Sequence, residues 1–390
     1  MIKSITADIR YIGVDDPEQH LFESQYRTPD GMCYNSYVIL DDKVAVMDTS
    51  DSRTLAAWKE NLAEALGDRQ PDYLVVHHLE PDHASGLADV CALYPQMQVV
   101  CSAKAKQMLP QYVVDEALQQ RIITVKEGDA LSLGRHTLHF VMAPMVHWPE
   151  VMVSYDDADR VLFSADAFGK FGVYEADADD WACEGRRYYF NICGKYGQPV
   201  STLLKKVAAF DVQKILPLHG PVLEGEQMVE ALRLYTIWSA YEVETEGVFI
   251  AHASIHGNTA AAACRLAEIL KQKGCPKVAV ADLCRDDMAE AIEDAFRYGK
   301  MICMASSYDA GVFLPMSDFL HHLETKAFQR RRVGLVENGS WAPSAAKTMR
   351  PMLEAMKQVE VVEPVVTLRG SMKEADVAQL EALAEAMMSI

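Results

Sequence analysis

The sequence predicts a two-part α/β chain: a sandwich of β-sheets covered by helices over 1–245, then a doubly wound parallel sheet over 246–390. Three observations carry this prediction. A chain of 390 residues exceeds what one ordinary core fills, so at least two domains are expected. Short strands open the chain and then mix with helices. Beyond an acidic connector, Glu242-Val243-Glu244-Thr245-Glu246-Gly247, the pattern changes to strict strand–helix alternation.

Half of the residues are hydrophobic and 24% charged, the profile of a soluble globular protein. The net charge of −19 argues against nucleic acid or an anionic membrane as the main partner. The nine cysteines are scattered and odd in number and include no Cys-x-x-Cys, which is the usage of a reducing compartment and leaves no iron–sulfur or rubredoxin-type module. Met1-Ile2-Lys3-Ser4-Ile5 lacks a signal-peptide pattern, and no apolar run approaches membrane-spanning length, so a cytoplasmic location is expected.

In the first part, Ile5-Ala7-Ile9-Tyr11 alternates, and Tyr37–Leu40 with Val44–Asp48 reads as a hairpin. Apolar residues near helical spacing run from Thr54 to Leu66 and stop at Gly67. The apolar run Tyr73-Leu74-Val75-Val76 then leads into His77-His78-Leu79-Glu80-Pro81-Asp82-His83. Four metal-capable side chains, His78, Glu80, Asp82 and His83, fall within six positions. An extended segment turns His78, Glu80 and Asp82 to one side, with His83 at the mouth of the following helix. Imidazole nitrogen with carboxylate oxygen suits iron, manganese or zinc, and the lack of thiolate argues against a structural zinc knot.

Three more residues stand in similar places. His147 follows the alternating strand Thr137–Val141, Asp166 follows the second strand of a hairpin turning at Asp156-Asp157, and His219 ends Ile215-Leu216-Pro217-Leu218. One polar residue at a strand end means little; four such places are what a metal site on the rim of a sheet sandwich requires. Trp148 is either a wall of that pocket or a core tryptophan, His77 points away from His78, and His136, His139, His321 and His322 lack ligand-like company.

These residues resemble the metallo-β-lactamase fold and, more closely, the flavodiiron proteins, whose pattern of His-x-Glu-x-Asp-His followed by single His, Asp and His matches His78, Glu80, Asp82, His83, His147, Asp166 and His219. His147-Trp148-Pro149, Asp166-Ala167-Phe168-Gly169 and His219-Gly220-Pro221 are also similar to that family. Zinc hydrolases of this fold typically carry histidine at position 80. Glu80 supplies a hard anionic oxygen instead, which favours two irons over zinc. The resemblance implies one iron on His78, Glu80 and His147, another on Asp82, His83 and His219, and Asp166 bridging them.

In the second part, strands are expected at Val248–His252, Val278–Leu283, Met301–Ala305, Arg332–Val336 and Val359–Val366, with helices near 259–273, 287–299, 315–328, 345–358 and 373–388. Such sheets bind ligands at the carboxyl ends of their strands. Ser254-Ile255-His256-Gly257-Asn258-Thr259 opens directly into a helix, and its hydroxyls and amides form either a phosphate cradle or an ordinary helix cap. Its Gly257, Asn258 and Thr259 resemble the flavodoxin phosphate loop. That resemblance places a flavin ring between Ser306-Ser307-Tyr308-Asp309-Ala310-Gly311 and Asn338-Gly339-Ser340-Trp341, with Tyr308 and Trp341 the candidates to stack on it. His256, Ser307 and Asp309 depart from the family's usual wording.

Taken over the whole chain, the resemblance implies an FMN-dependent diiron reductase of dioxygen or nitric oxide, a head-to-tail homodimer or dimer of dimers, and a separate donor such as a rubredoxin or a flavin reductase. The rival expectations are a dizinc hydrolase with an appended flavodoxin-like domain and a non-catalytic flavin electron carrier.

Overall fold

A computed structural model of the chain describes residues 2–113, 116–176 and 180–389. It divides into two compact units, Met1–Thr236 and Ile237–Ile390.

The first unit is built on two sheets. One has seven strands, ordered Lys3–Ser4, Ile9–Tyr11, Tyr37–Leu40, Val44–Met47, Tyr73–Val76, Gln98–Ser102 and Ile122–Val125. The other has six: Ala130–Ser132, Thr137–Met142, Met152–Asp156, Val161–Phe163, Lys214–Leu216 and Leu223–Glu224. The pleat explains why adjacent residues serve different cores. Val44, Val46, Leu74 and Val76 pack with Trp58 and Leu62 of the helix Leu55–Leu66. Ala45, Met47 and Val75 instead join Phe140, Met152, Phe163 and Leu216 of the second sheet. Helix, sheet and sheet are thus bound by two apolar layers.

Trp58 is fully buried, and its indole N–H has no hydrogen-bond partner. Trp58→Ala is expected to destabilise this unit by about 3–5 kcal/mol through the cavity it leaves. Trp58→Phe should cost much less, because it also removes an unsatisfied donor. Denaturant midpoints of the two variants check this, and equal losses would refute it.

In the second unit five parallel strands stand in the order second, first, third, fourth, fifth: Val278–Asp282, Thr245–Ala253, Tyr298–Tyr308, Arg332–Asn338 and Glu360–Leu368. Helices Asn258–Gln272, Met288–Arg297, Leu314–Thr325, Ala345–Glu354 and Glu374–Met388 alternate with them. The chain reverses direction across the sheet between the first and third strands, where a ligand crevice is expected. Strand ends extend beyond the expected ones. Thr245 to Gly247 of the acidic connector belong to the first strand, and the third strand runs on to Tyr308.

Candidate metal and cofactor sites

The seven residues singled out in the first unit meet at the carboxyl ends of its strands. His78 leaves the strand Tyr73–Val76. Glu80 is not in a continuing extended segment: it caps a single helical turn, Pro81–Ala84, which carries Asp82 and His83. Pro81 at the first helical position fixes that turn, since its missing N–H is not needed there. Asp166 and His219 follow Val161–Phe163 and Lys214–Leu216, which pair in parallel and so release both residues on the same side. His147 lies in the segment between Thr137–Met142 and Met152–Asp156.

The donor atoms form two groups. One atom from each of His78, Glu80, His147 and Asp166 lies within 4.8 Å of the others, and Asp82, His83 and His219 do the same. Asp166 faces both groups. Its Oδ2 is 3.4 Å from His78 Nε2 and 3.2 Å from His147 Nε2, while its Oδ1 is 3.2 Å from His83 Nε2 and 3.8 Å from His219 Nε2. Glu80 Oε2 stands 3.2 Å from His78 and 3.0 Å from His147; Asp82 Oδ2 stands 3.3 Å from both His83 and His219.

The outer ring nitrogens say which lone pairs face inward. His78 Nδ1 donates to Glu150 Oε1 at 2.8 Å, and His219 Nδ1 donates to the Cys33 carbonyl at 2.7 Å. Each therefore presents Nε2 to the cluster, and His83 and His219 bring two such nitrogens within 3.1 Å of each other. Asp82 Oδ1 and Oδ2 and Asp166 Oδ1 are buried without a hydrogen-bond partner. Inward lone pairs and orphaned carboxylate oxygens repel one another unless a cation sits among them, so the donor set fits metal. Protons are drawn in for the same reason. Burial disfavours charge on His147, but Asp166 and Glu80 outweigh it and raise its pKa to about 9. Burial alone would raise Glu80, yet hydrogen bonds from His147 and His78 bring it down to about 2.

Phe22, Tyr34 and Tyr188 ring His219, with centroids 5.5–5.9 Å away. Trp148 stands edge-on to His78 at 5.2 Å. A cavity of about 400 Å³ opens onto Glu80 and Asp82, lined also by Leu21, Glu23, Tyr34 and Arg53.

In the second unit a cavity of about 500 Å³ lies at the carboxyl ends of the strands. It is lined by Ser254, His256, Asn258 and Thr259, by Ser306 to Asp309, and by Asn338 to Trp341. Gly257, just before the helix Asn258–Gln272, has φ 88°, and a Cβ built there meets nothing within 4 Å. The cradle is therefore open on the side where helix N–H groups lack partners, as an anion requires. Trp341 is 90% exposed and Tyr308 45%, so both rings are free to stack.

Residues 32–220 match the family described as the ODP family beta lactamase. An anaerobic nitric oxide reductase flavorubredoxin of Escherichia coli O1:K1 / APEC is 28% identical over 360 residues, covering 89% of this chain and 74% of that one. Two solved structures share the fold at TM-score 0.92: rubredoxin oxygen:oxidoreductase from Desulfovibrio gigas, at 23% identity over 99% of this chain and 98% of that one, and the flavodiiron protein from Giardia intestinalis, at 22% over 99% and 96%. The chain shares the fold of these flavodiiron structures over nearly its whole length.

Several residues of this chain make partners that the sequence alone did not indicate. The loop after the third strand is a hairpin: Ser307 and Tyr308 pair with Val312 and Gly311, and Asp309 and Ala310 turn with φ 47° and 59°. Gly311 lies outside the cavity lining, held in this ladder. Ser307 Oγ accepts the N–H groups of Ser344 and Ala345, and the Asn338 amide is tied on both sides to the Gly370 backbone. These two side chains staple loops together at the edge of the cavity that both residues line.

His77 donates to Asp48 and meets Ser154 Oγ at 2.8 Å, a buried local anchor as expected. His136 does have company, contrary to expectation. Its Nδ1 is 3.0 Å from both Asp156 oxygens and its Nε2 is 3.2 Å from Asp8, while Arg135 joins Asp8 to Asp159. The guanidinium already supplies the cation there. Burial lowers the His136 pKa and Arg135 opposes it further, but Asp156 and Asp8 outweigh both and raise it; Asp41 accepts its backbone N–H. A raised folded-state value means the stabilisation is complete below the unfolded value near 6.5 and is lost as pH rises through the folded one. His136→Gln should therefore cost more stability at pH ~6 than at pH ~9, as denaturant midpoints would report. Equal losses would contradict it.

Proposed function

We propose that the chain is an FMN-dependent diiron reductase acting on dioxygen, to give water, or on nitric oxide, to give nitrous oxide. The observation carrying this reading is Asp166, whose two oxygens face separate donor groups, combined with a glutamate at position 80 where zinc hydrolases of this fold have histidine. His78, Glu80 and His147 would hold one iron, Asp82, His83 and His219 the other, with Asp166 shared. Ser254 to Thr259 would hold the FMN phosphate, and the hairpin at Asp309 and the loop at Trp341 its ring. When bound, iron and flavin supply the electron storage that reduction of these gases requires.

The chain's own residues do the positioning. Outer hydrogen bonds to Glu150 and Cys33 aim His78 and His219, and the rings of Phe22, Tyr34, Tyr188 and Trp148 keep bulk water from the imidazoles. The cavity over Glu80 and Asp82 gives a small gas a way in. The names of the Escherichia coli and Desulfovibrio relatives support a rubredoxin-type donor, and a flavin reductase would serve the same end. We also propose a head-to-tail homodimer, or a dimer of dimers, working in the cytoplasm; no helix among the described residues is long and apolar enough to cross a membrane.

The test is anaerobic turnover of purified, reduced protein with dioxygen and nitric oxide side by side, with metal analysis and an ester or thioester assay. Consumption of either gas with iron bound is expected. Bound zinc with ester hydrolysis and no gas consumption would replace this reading with the hydrolase.

A further inference from the structure

The two donor groups match in ligand count, two imidazoles and one unshared carboxylate each, but not in what stands behind them. His78 Nδ1–H donates to Glu150 Oε1 at 2.8 Å, and both side chains are fully buried. The same oxygen accepts the Leu79 N–H at 3.0 Å, and Ser102 Oγ holds the Glu150 carbonyl at 2.7 Å, so the carboxylate is fixed in place. On the other side His219 donates only to a neutral backbone carbonyl, and His83 Nδ1 has no partner. An imidazole whose outer N–H is given to a carboxylate is a more basic ligand than one given to an amide carbonyl, and a buried negative charge is little screened.

Resting on the diiron reading above, we infer that Glu150 is a positioning residue that makes the His78–Glu80–His147 position the tighter of the two, so that it takes up a divalent cation first. The asymmetry belongs to the chain and needs no difference in the ligand atoms.

The FMN-loaded, metal-depleted chain is given one equivalent of Co(II), and anomalous scattering from crystals reports where it sits. At least about tenfold more cobalt is expected at the His78 position than at the His219 position. Glu150→Gln keeps an oxygen to accept the Nδ1–H and removes only the charge. It should weaken one of the two Co(II) equivalents about 10–100-fold in a binding titration and leave the other unchanged. Equal occupancy in the unaltered chain, or both equivalents weakened alike in the variant, overturns the inference; the occupancy measurement stands even if the variant does not fold. Uptake of neither Co(II) nor Fe(II) at any position would instead overturn the diiron reading itself.

Discussion

Asp166→Asn is expected to abolish gas reduction while leaving FMN bound. The substitution keeps the shape of the side chain but replaces one oxygen with an NH₂ group. Whichever way the amide turns, that NH₂ faces two imidazole nitrogens, either His78 and His147 or His83 and His219. A donor pointing where a ligand oxygen is needed forfeits that position, and the negative charge between the two groups is lost as well. Changing a partner behind a ligand already costs about 10–100-fold in metal affinity or activity, so loss of a shared ligand should exceed about 100-fold. Iron per chain should fall to one or below by metal analysis, and consumption of both dioxygen and nitric oxide should fall together. FMN content should not change, because the cavity proposed to hold it is lined by residues of the second unit alone. Two irons and undiminished turnover in the variant would remove Asp166 from the centre.

What the sequence disclosed depended on how local each signal was. Val44 to Met47 and Tyr73 to Val76 are short apolar runs buried on both faces, so their strand character is written in adjacent residues. His78, Asp166 and His219 each follow such a run, and a polar side chain at the end of a buried strand is visible without knowing what faces it. Glu150 carries no such mark. It meets His78 across 72 positions of chain, and a glutamate after Pro149 reads as an ordinary surface residue until the fold buries it. His136 is alike: its partners Asp8 and Asp156 lie 128 and 20 positions away. The loops of the second unit are a different case. Their residue types were legible, but Ser307 and Asn338 spend their polar groups on neighbouring backbone, and strand pairing carries the chain past Ala305 into a hairpin. Hydroxyl and amide side chains compete for local backbone partners, so their presence in a loop does not say whether they face the ligand.

The proposed phosphate cradle offers the second large effect, one that separates ligand binding from fold. Asn258 is the first residue of the helix Asn258–Gln272 and lines the cavity of the second unit. Asn258→Asp changes one atom and adds one negative charge. At a helix N-terminus that charge is favourable, by about 0.3–1 kcal/mol, so the flavin-free chain should hold or gain stability. For a bound phosphate the same charge is repulsive. Two unit charges ~4 Å apart interact by about 1 kcal/mol in water and about 4 kcal/mol near a protein surface, and a phosphate monoester carries nearly two. Since ~1.4 kcal/mol is tenfold in affinity, FMN should bind about 100-fold more weakly or worse. Riboflavin has the ring without the phosphate, so its affinity should hardly move. Fluorescence titration of the variant with both flavins makes the comparison directly. If FMN and riboflavin weakened equally, the added charge would be acting on the ring or on the fold, and Ser254 to Thr259 would be a helix cap rather than a phosphate site. Selective loss of FMN with the helix intact is the outcome that only an anion at this terminus produces.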